Sequence, residues 1–479
     1  MDRELMSNAS SIQPRLRVLA PGQMEQIHDY SLQVLSGVGV RVDSERVRQL
    51  LAKAIGSSAI DGKRVYIPGE IVEWALGTAP ASIEVYDRLG RVAFRLPEEA
   101  RFGIGVTALY YQDPVTDKVT PFTRKHMELM VRLGDRLPSF DVVSTVGIVQ
   151  DVAPALSDLY GTLEMTANTV KPLVILVSDE GAFPRVLELL EHLHGDLGSQ
   201  PFVVPYLNPI SPLVINRGTA DKMFQAIERD LPVIYSNYGM AGASTPITPA
   251  GALVLLNAEL LAGLVLSQLI KEGTPVILGS LPAFFDMKGM GSFYDSQSYL
   301  VDLACADMMA AYQLPHCGTS GSGMGWTADL VAGGHQWFNH LISCIGKVGL
   351  VPFVGDNLGS KAFSPSIVVY ANEIIEQVRL FAGGFAIDDA AVGIDEIEKI
   401  GPGGSFLTSD LTLKLFRRAY HHSQIFPRHS LEKWQSRGSP EAGELLRRHT
   451  QQLLADLQPP EDHEDLMARG ESFIALTTR

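Results

Sequence analysis

Along most of the chain, short apolar runs alternate with longer segments in which apolar residues recur every three or four positions. The first pattern predicts strands buried on both faces, and the second predicts helices lying against them. From Arg101 the alternation is regular. Strands are expected at 101–105, 141–148, 172–178, 202–208, 232–238, 275–279, 315–320 and 349–355. Helices are expected at 124–133, 155–167, 180–193, 217–228, 249–271, 297–312, 328–346 and 364–381. Eight such units with parallel strands predict an α/β protein built on a closed (β/α)8 barrel of the TIM type. A hairpin within 110–119 is expected before the first barrel helix.

The flanks have other rhythms. Residues 1–99 read as an N-terminal α/β extension. It has helices at 21–35, 43–54 and 68–76, a short strand at 64–67, and a hairpin from Ile83–Tyr86 and Val92–Phe94 around the turn Asp87-Arg88-Leu89-Gly90. The barrel occupies 100–400. Residues 401–479 read as a C-terminal helical arm, with helices at 411–420 and 443–457 and a polar, acidic tail from Pro459. The arm is expected to make subunit contacts in a homo-oligomer.

Hydrophobic residues make up 46% of the 479 positions and charged residues 19%, enough for a large core. The formal net charge of −15, with no basic stripe, argues against nucleic acid and anionic membrane surfaces. The run from Gly251 to Ile270 is long and apolar, but Asn257, Glu259 and Gln268 mark it as a buried helix and not a membrane span. Three cysteines without a CxxC pair suit a reducing, cytoplasmic compartment, and Met1 to Pro14 lacks the apolar core of a signal peptide.

In barrels of this kind the reacting groups stand where strands end. Strand four ends in Tyr206 and Asn208, strand five in Tyr235, Asn237 and Tyr238. Strand six leads to Phe284 and Phe285, strand seven carries His316 and leads to Trp326, and strand eight carries Phe353. Rings from different strands converging on one mouth form a cage suited to a quaternary ammonium, which has no proton to donate. Each ring is equally suited to filling the barrel top. No acid or base is required, and His316 and Trp326 are expected to position a substrate group. No metal is expected, since His335 and His340 do not share a helix face and no ligand spacing recurs. Asp286, Asp295, Asp302 and Asp356 lie near the mouth as candidate acids, bases or helix caps. The run Pro315 to Trp326 contains Gly318, Gly321, Gly323 and Gly325. It could cradle a phosphate, although it has neither GxGxxG spacing nor a P-loop lysine.

Three stretches together resemble the trimethylamine methyltransferase family: Tyr206-Leu207-Asn208-Pro209-Ile210-Ser211-Pro212-Leu213, the run from Tyr235 to Pro246, and Gly318-Thr319-Ser320-Gly321-Ser322-Gly323. The resemblance extends over residues 15–440. It implies an eight-stranded barrel and transfer of a methyl group from a methylated amine to the Co(I) of a separate corrinoid protein. The trimethylamine branch carries pyrrolysine in the barrel. This chain has only ordinary residues and so resembles the pyrrolysine-free branch, whose donors are quaternary amines such as glycine betaine. Such a donor has a neutral leaving amine and needs no general acid. By this resemblance Gly321, Gly323, Gly325 and Trp326 line the approach of the corrinoid, and His316, Asn208, Asn237 or backbone amides hold a betaine carboxylate. No Asp-x-His-x-x-Gly pattern occurs, so the expected cofactor is not tightly bound and arrives on its own carrier. Two other readings stay open: a barrel lyase or isomerase acting on a phosphorylated small acid, and a betaine-binding protein without turnover.

Overall fold

The computed structural model describes residues 10–319 and 323–477. The predicted strands lie at Arg101–Ile104, Val142–Ser144, Leu173–Ile175, Val203–Leu207, Val233–Ala241, Val276–Asp286, His316–Cys317 and Leu350–Val354, here barrel strands one to eight. Each pairs in parallel with the next. Strand eight returns to strand one through Leu350↔Arg101 and Val354↔Ile104, so the sheet closes. The eight barrel helices expected between and after the strands are present, from Arg124–Arg136 to Pro365–Gly383. Tyr110–Gln112 and Val119–Pro121 form the hairpin expected in the first unit.

The two-residue period of a strand divides its side chains between two environments. Val174, Val204, Tyr206, Ile234, Ile277, Cys317 and Phe353 pack together inside the barrel. The alternate positions, including Val203, Leu207, Val233, Tyr235 and Leu278, pack outward against the helices. The hairpin of Ile83–Tyr86 and Val92–Leu96 adds Ile83, Val85, Phe94 and Leu96 to the interior cluster. It therefore plugs the end of the barrel where the strands begin, and the opposite mouth is left for a site.

The N-terminal helices Pro21–Gln33, Glu45–Ile55 and Gly69–Thr78 pack on Pro249–Ile270. That helix is long and apolar enough to cross a membrane but is buried by the protein around it. Its Asn257 amide donates to Ser31 Oγ at 2.9 Å and to Tyr312 Oη at 3.0 Å. The strand Val40–Val42 pairs in parallel with Val214–Ile215 from the loop after strand four, stitching the N-terminal region to the barrel. At the other end of the chain, the tail expected to be merely polar forms a helix, His463–Thr477. It buries Leu466, Gly470 and Ile474 against Ser157–Asn168 and Phe183–His194. Its buried stripe is one residue in four among charges, too narrow to read from the sequence. The buried guanidinium of Arg88 grips Asp462 through both terminal nitrogens, with Nη2 to Oδ1 at 2.8 Å, and anchors the start of this helix.

Candidate active site

Beyond the strand ends lies a cavity of about 300 Å³, lined by Val106, Thr107, Leu176, Tyr206, Asn208, Tyr238, Leu281, Ser292, Phe293, Tyr294, Gly323, Met324, Phe353, Gly359 and Ser360. Tyr206 and Phe353 pack edge to face with centroids 5.0 Å apart. The Tyr206 hydroxyl donates to Ser236 Oγ at 2.7 Å, which fixes the ring, and burial pushes the phenol well above its ordinary pKa. Burial does the same to Tyr294. At neutral pH both are uncharged aromatic faces. Asn208 stands at the exposed rim, its amide donating to the Ser236 carbonyl at 2.9 Å.

Two lining residues, Thr107 and Ser360, hold left-handed backbone at φ 52° and 62°. For a β-branched threonine this is strain of order 1–3 kcal/mol, which persists where surrounding structure imposes it and is concentrated at functional sites. The Thr107 amide is held by the Thr145 carbonyl at 2.8 Å. Behind the Gly323–Ser360 wall is Asp356, which has 1% exposure. Burial pushes its carboxyl up to about 7, against the pull of the adjacent Ser360 hydroxyl and Gly323 amide. Asp302 sits deeper, behind Gly318, and burial raises its carboxyl well above the ordinary range. Among the described residues, no Lys, Arg or His lines the cavity. Among the described residues, no group of three or more His, Cys, Asp or Glu side chains is arranged to hold a metal ion.

The structure brings together Tyr206, Asn208, Tyr238, Phe353 and Gly323 from the set expected at the mouth. It places the other described members of that set elsewhere. Tyr235 is fully buried on the outer face of strand five against Gly263, where an added Cβ would stand 2.1 Å from the ring. Asn237 also faces outward, donating to Glu259 Oε2 at 3.0 Å and to the Leu256 carbonyl at 2.9 Å. His316 is at the start of strand seven, beside the Pro97–Glu99 turn at the plugged end of the barrel. Its Nδ1–H donates to the Val348 carbonyl at 2.7 Å, and burial lowers its pKa to about 4. It stays neutral and far from the mouth, so it positions nothing there.

Phe284 and Phe285 lie on an extension of strand six that turns back through Gly291–Phe293. Phe284 packs on Phe293, and it is the returning strand and the residue after it that supply Ser292, Phe293 and Tyr294 to the cavity. Gly325, at φ 109°, turns the chain into the helix Leu330–Ile345, and a Cβ there would meet Ala332 at 2.7 Å. Trp326 is 70% exposed outside the cavity, its carbonyl accepting from Gln112 Nε2 at 2.9 Å. Gly321 lies outside the described residues.

Sequence reasoning missed Phe293, Tyr294, Thr107, Met324 and the role of Glu259. The only sequence signal for Glu259 is a carboxylate inside an apolar helix. That carboxylate accepts from Ser211 Oγ at 2.7 Å, from the Leu213 amide at 2.6 Å and from Asn237. It thus ties the loop after strand four to strand five.

The family described as trimethylamine methyltransferase (MTTB) matches the chain over residues 2–478. The chain is similar to the trimethylamine methyltransferase MttB of Desulfitobacterium hafniense (strain DSM 10664 / DCB-2), at 26% identity over 470 residues, covering 95% of this chain and 92% of that protein. It is as similar to the glycine betaine methyltransferase of Desulfitobacterium hafniense (strain Y51), at 26% identity over 477 residues, covering 96% and 97%. Among solved structures it resembles the Methanosarcina barkeri monomethylamine methyltransferase MtmB, with a TM-score of 0.54 and 10% identity over 92% of this chain and 88% of the other. At that identity the likeness is one of fold.

Proposed function

Because the chain belongs to the trimethylamine methyltransferase family, we propose that it moves a methyl group from a quaternary amine, the class that includes glycine betaine, to the Co(I) of a corrinoid carried by a separate protein. The observation that carries this reading is the cage of Tyr206, Tyr238, Phe293, Tyr294 and Phe353 around a cavity without a basic side chain. Such a cavity attracts a cation through the ring faces, and a quaternary cation loses no hydrogen bonds on entering it.

The corrinoid, when its carrier is docked, supplies the nucleophile. The chain supplies everything else. The rings hold the ammonium in place, the Gly323–Ser360 wall and the segment Ser292–Tyr294 exclude water, and a methyl group is left facing the opening. As the methyl carbon is taken, the C–N bonding pair stays with nitrogen and a neutral tertiary amine leaves. No proton moves, in keeping with a site whose phenols remain neutral. Trp326 and Leu330, and Met287 and Met290 at the tip of the strand-six hairpin, are exposed apolar side chains that would meet the carrier. We place the reaction in the cytoplasm, where the three free thiols stay reduced. We also propose a homo-oligomer whose contacts cover Ile394, Leu413 and Trp434, in helices that bury no residue within the chain.

The reading as a phosphorylated-acid lyase loses its support, since a phosphate would find no cation at this mouth. The test is spectroscopic. The protein is mixed with cob(I)alamin and with tetramethylammonium, glycine betaine or trimethylamine, and the Co(I) absorbance is followed. Its loss, with growth of methylcobalamin, is expected for a quaternary donor. Tight binding in calorimetry with no transfer, even with carrier-bound corrinoid, would make the protein a binding module instead.

A further inference from the structure

The cavity carries a preference finer than quaternary ammonium, and it comes from Asp356. A Cβ built on Gly323 would stand 3.1 Å from Asp356 Oδ2 and 2.7 Å from Ser360 Oγ. Gly323 and Ser360 are themselves cavity wall. The carboxyl is therefore one side-chain layer behind the ligand. It is almost wholly buried, and among the described residues neither of its oxygens has a hydrogen bond of regular geometry. A buried polar group left in that state is costly unless something else meets it.

Among the described residues, the ionisable groups around it carry no compensating charge. Tyr294 and Tyr299 face it, and burial keeps both phenols neutral. Asp302, on the helix Ser296–Ala311, has its carboxyl raised well above the ordinary range by burial and offers no positive charge in either form. His335 lies behind Tyr299, its Nδ1 3.2 Å from the phenol oxygen, and burial lowers its pKa. The stretch 320–322 is Ser-Gly-Ser and adds no base. The missing counter-charge can come from the ligand.

We infer that Asp356 is a specificity-determining residue that selects quaternary ammonium donors of net positive charge over zwitterionic betaines. The inference rests on the function proposed above and narrows it. A carboxylate on the donor would be confined near a second buried carboxylate, with no Lys, Arg or His in the lining to separate them. A tetraalkylammonium, or one bearing a hydroxyl, has no such conflict and supplies the positive charge that Asp356 lacks.

A pH signature follows. With its pKa near 7 in the free site, Asp356 is mostly neutral below that pH and ionised above it. A tetraalkylammonium does not titrate. Its affinity should therefore rise as pH increases through about 7 and level off above.

The test measures methyl transfer to cob(I)alamin, and separately binding by calorimetry, for tetramethylammonium and glycine betaine at about pH 6 and 8. Both the unmodified protein and Asp356→Asn are used. The expected result is at least about a tenfold preference for tetramethylammonium, a rise in its affinity with pH, and loss of both in the Asn variant. A preference for glycine betaine, or a tetramethylammonium preference that survives Asp356→Asn with its pH dependence intact, would overturn the inference. If the unmodified protein binds tetramethylammonium with this selectivity but transfers no methyl group, the proposed reaction fails while the role of Asp356 stands. Should the variant not fold, a preference for glycine betaine or a flat pH dependence of tetramethylammonium affinity in the unmodified protein would still overturn the inference.

Discussion

Tyr238 and His316 were equal candidates in the sequence, and their side chains have opposite fates. Tyr238 is half-buried with its ring on the cavity, whereas His316 is buried at the plugged end with Nδ1 committed to Val348. Tyr238→Leu should weaken binding of a quaternary donor about 5- to 30-fold, the loss of one cation–π face of about 1–2 kcal/mol. His316→Gln should leave donor affinity unchanged and register only as lower stability. Calorimetry on the two variants checks this, and a large affinity loss in the histidine variant would contradict the geometry. Tyr235 and Asn237 face the helices, and the two-residue period of the strand gives the reason. They share the parity of Val233 on strand five, and Tyr238 shares that of Ile234 and Ser236. One of those sets had to face the helices.

Among the elements, the helix Pro249–Ile270 does more than wall the barrel. Glu259 projects from it into the junction of strands four and five and holds three donors. Burial raises its pKa, and those donors pull it back down. Glu259→Gln turns one accepting oxygen into an NH₂ that faces donors. The cost should be about 1–3 kcal/mol, seen as a lower denaturation midpoint, with donor binding weakened because Asn208 sits on the loop that Glu259 secures. An unchanged midpoint would show that the loop holds without it. The strand-six hairpin makes a related point. The sequence marks aromatics on both of its arms, but only strand pairing decides that Phe293 and Tyr294, on the return, turn to the cavity while Phe284 backs them.

Across the whole molecule, the chain ends close the structure around the barrel. The N-terminal hairpin fills one opening, and the C-terminal helix clamps the outer wall through Arg88 and Asp462. Hydrogen bonding from Arg88 holds the Asp462 carboxyl below its ordinary pKa. A depressed carboxylate contributes stability that is full above its unfolded pKa near 3.9 and is lost as pH falls through the lower folded value. Hydrogen exchange should therefore find residues 463–477 protected at neutral pH and released first on acidification below about pH 4. Arg88→Ala should release them at neutral pH as well. Uniform protection in that variant would mean that Leu466 and Ile474 hold the helix unaided.

The periodicity of the sequence alone determined the eight units, their order, the hairpin at the first unit and the burial of the helix at 249–270, because these follow from local patterns of apolar residues repeated along the chain. It also placed aromatic residues at or just after the ends of strands four to eight. Closure decided the rest. Which face of each strand turns inward depends on the opposing strands and helices, so only the folded barrel separated Tyr206, Tyr238 and Phe353 from Tyr235 and Asn237. Only the fold placed His316 at the far end, brought Tyr294 and Thr107 into the cavity, and set Asp356 behind a glycine wall. Each of those outcomes is a relation between residues distant in the chain, and burial and charge take their meaning from such neighbours.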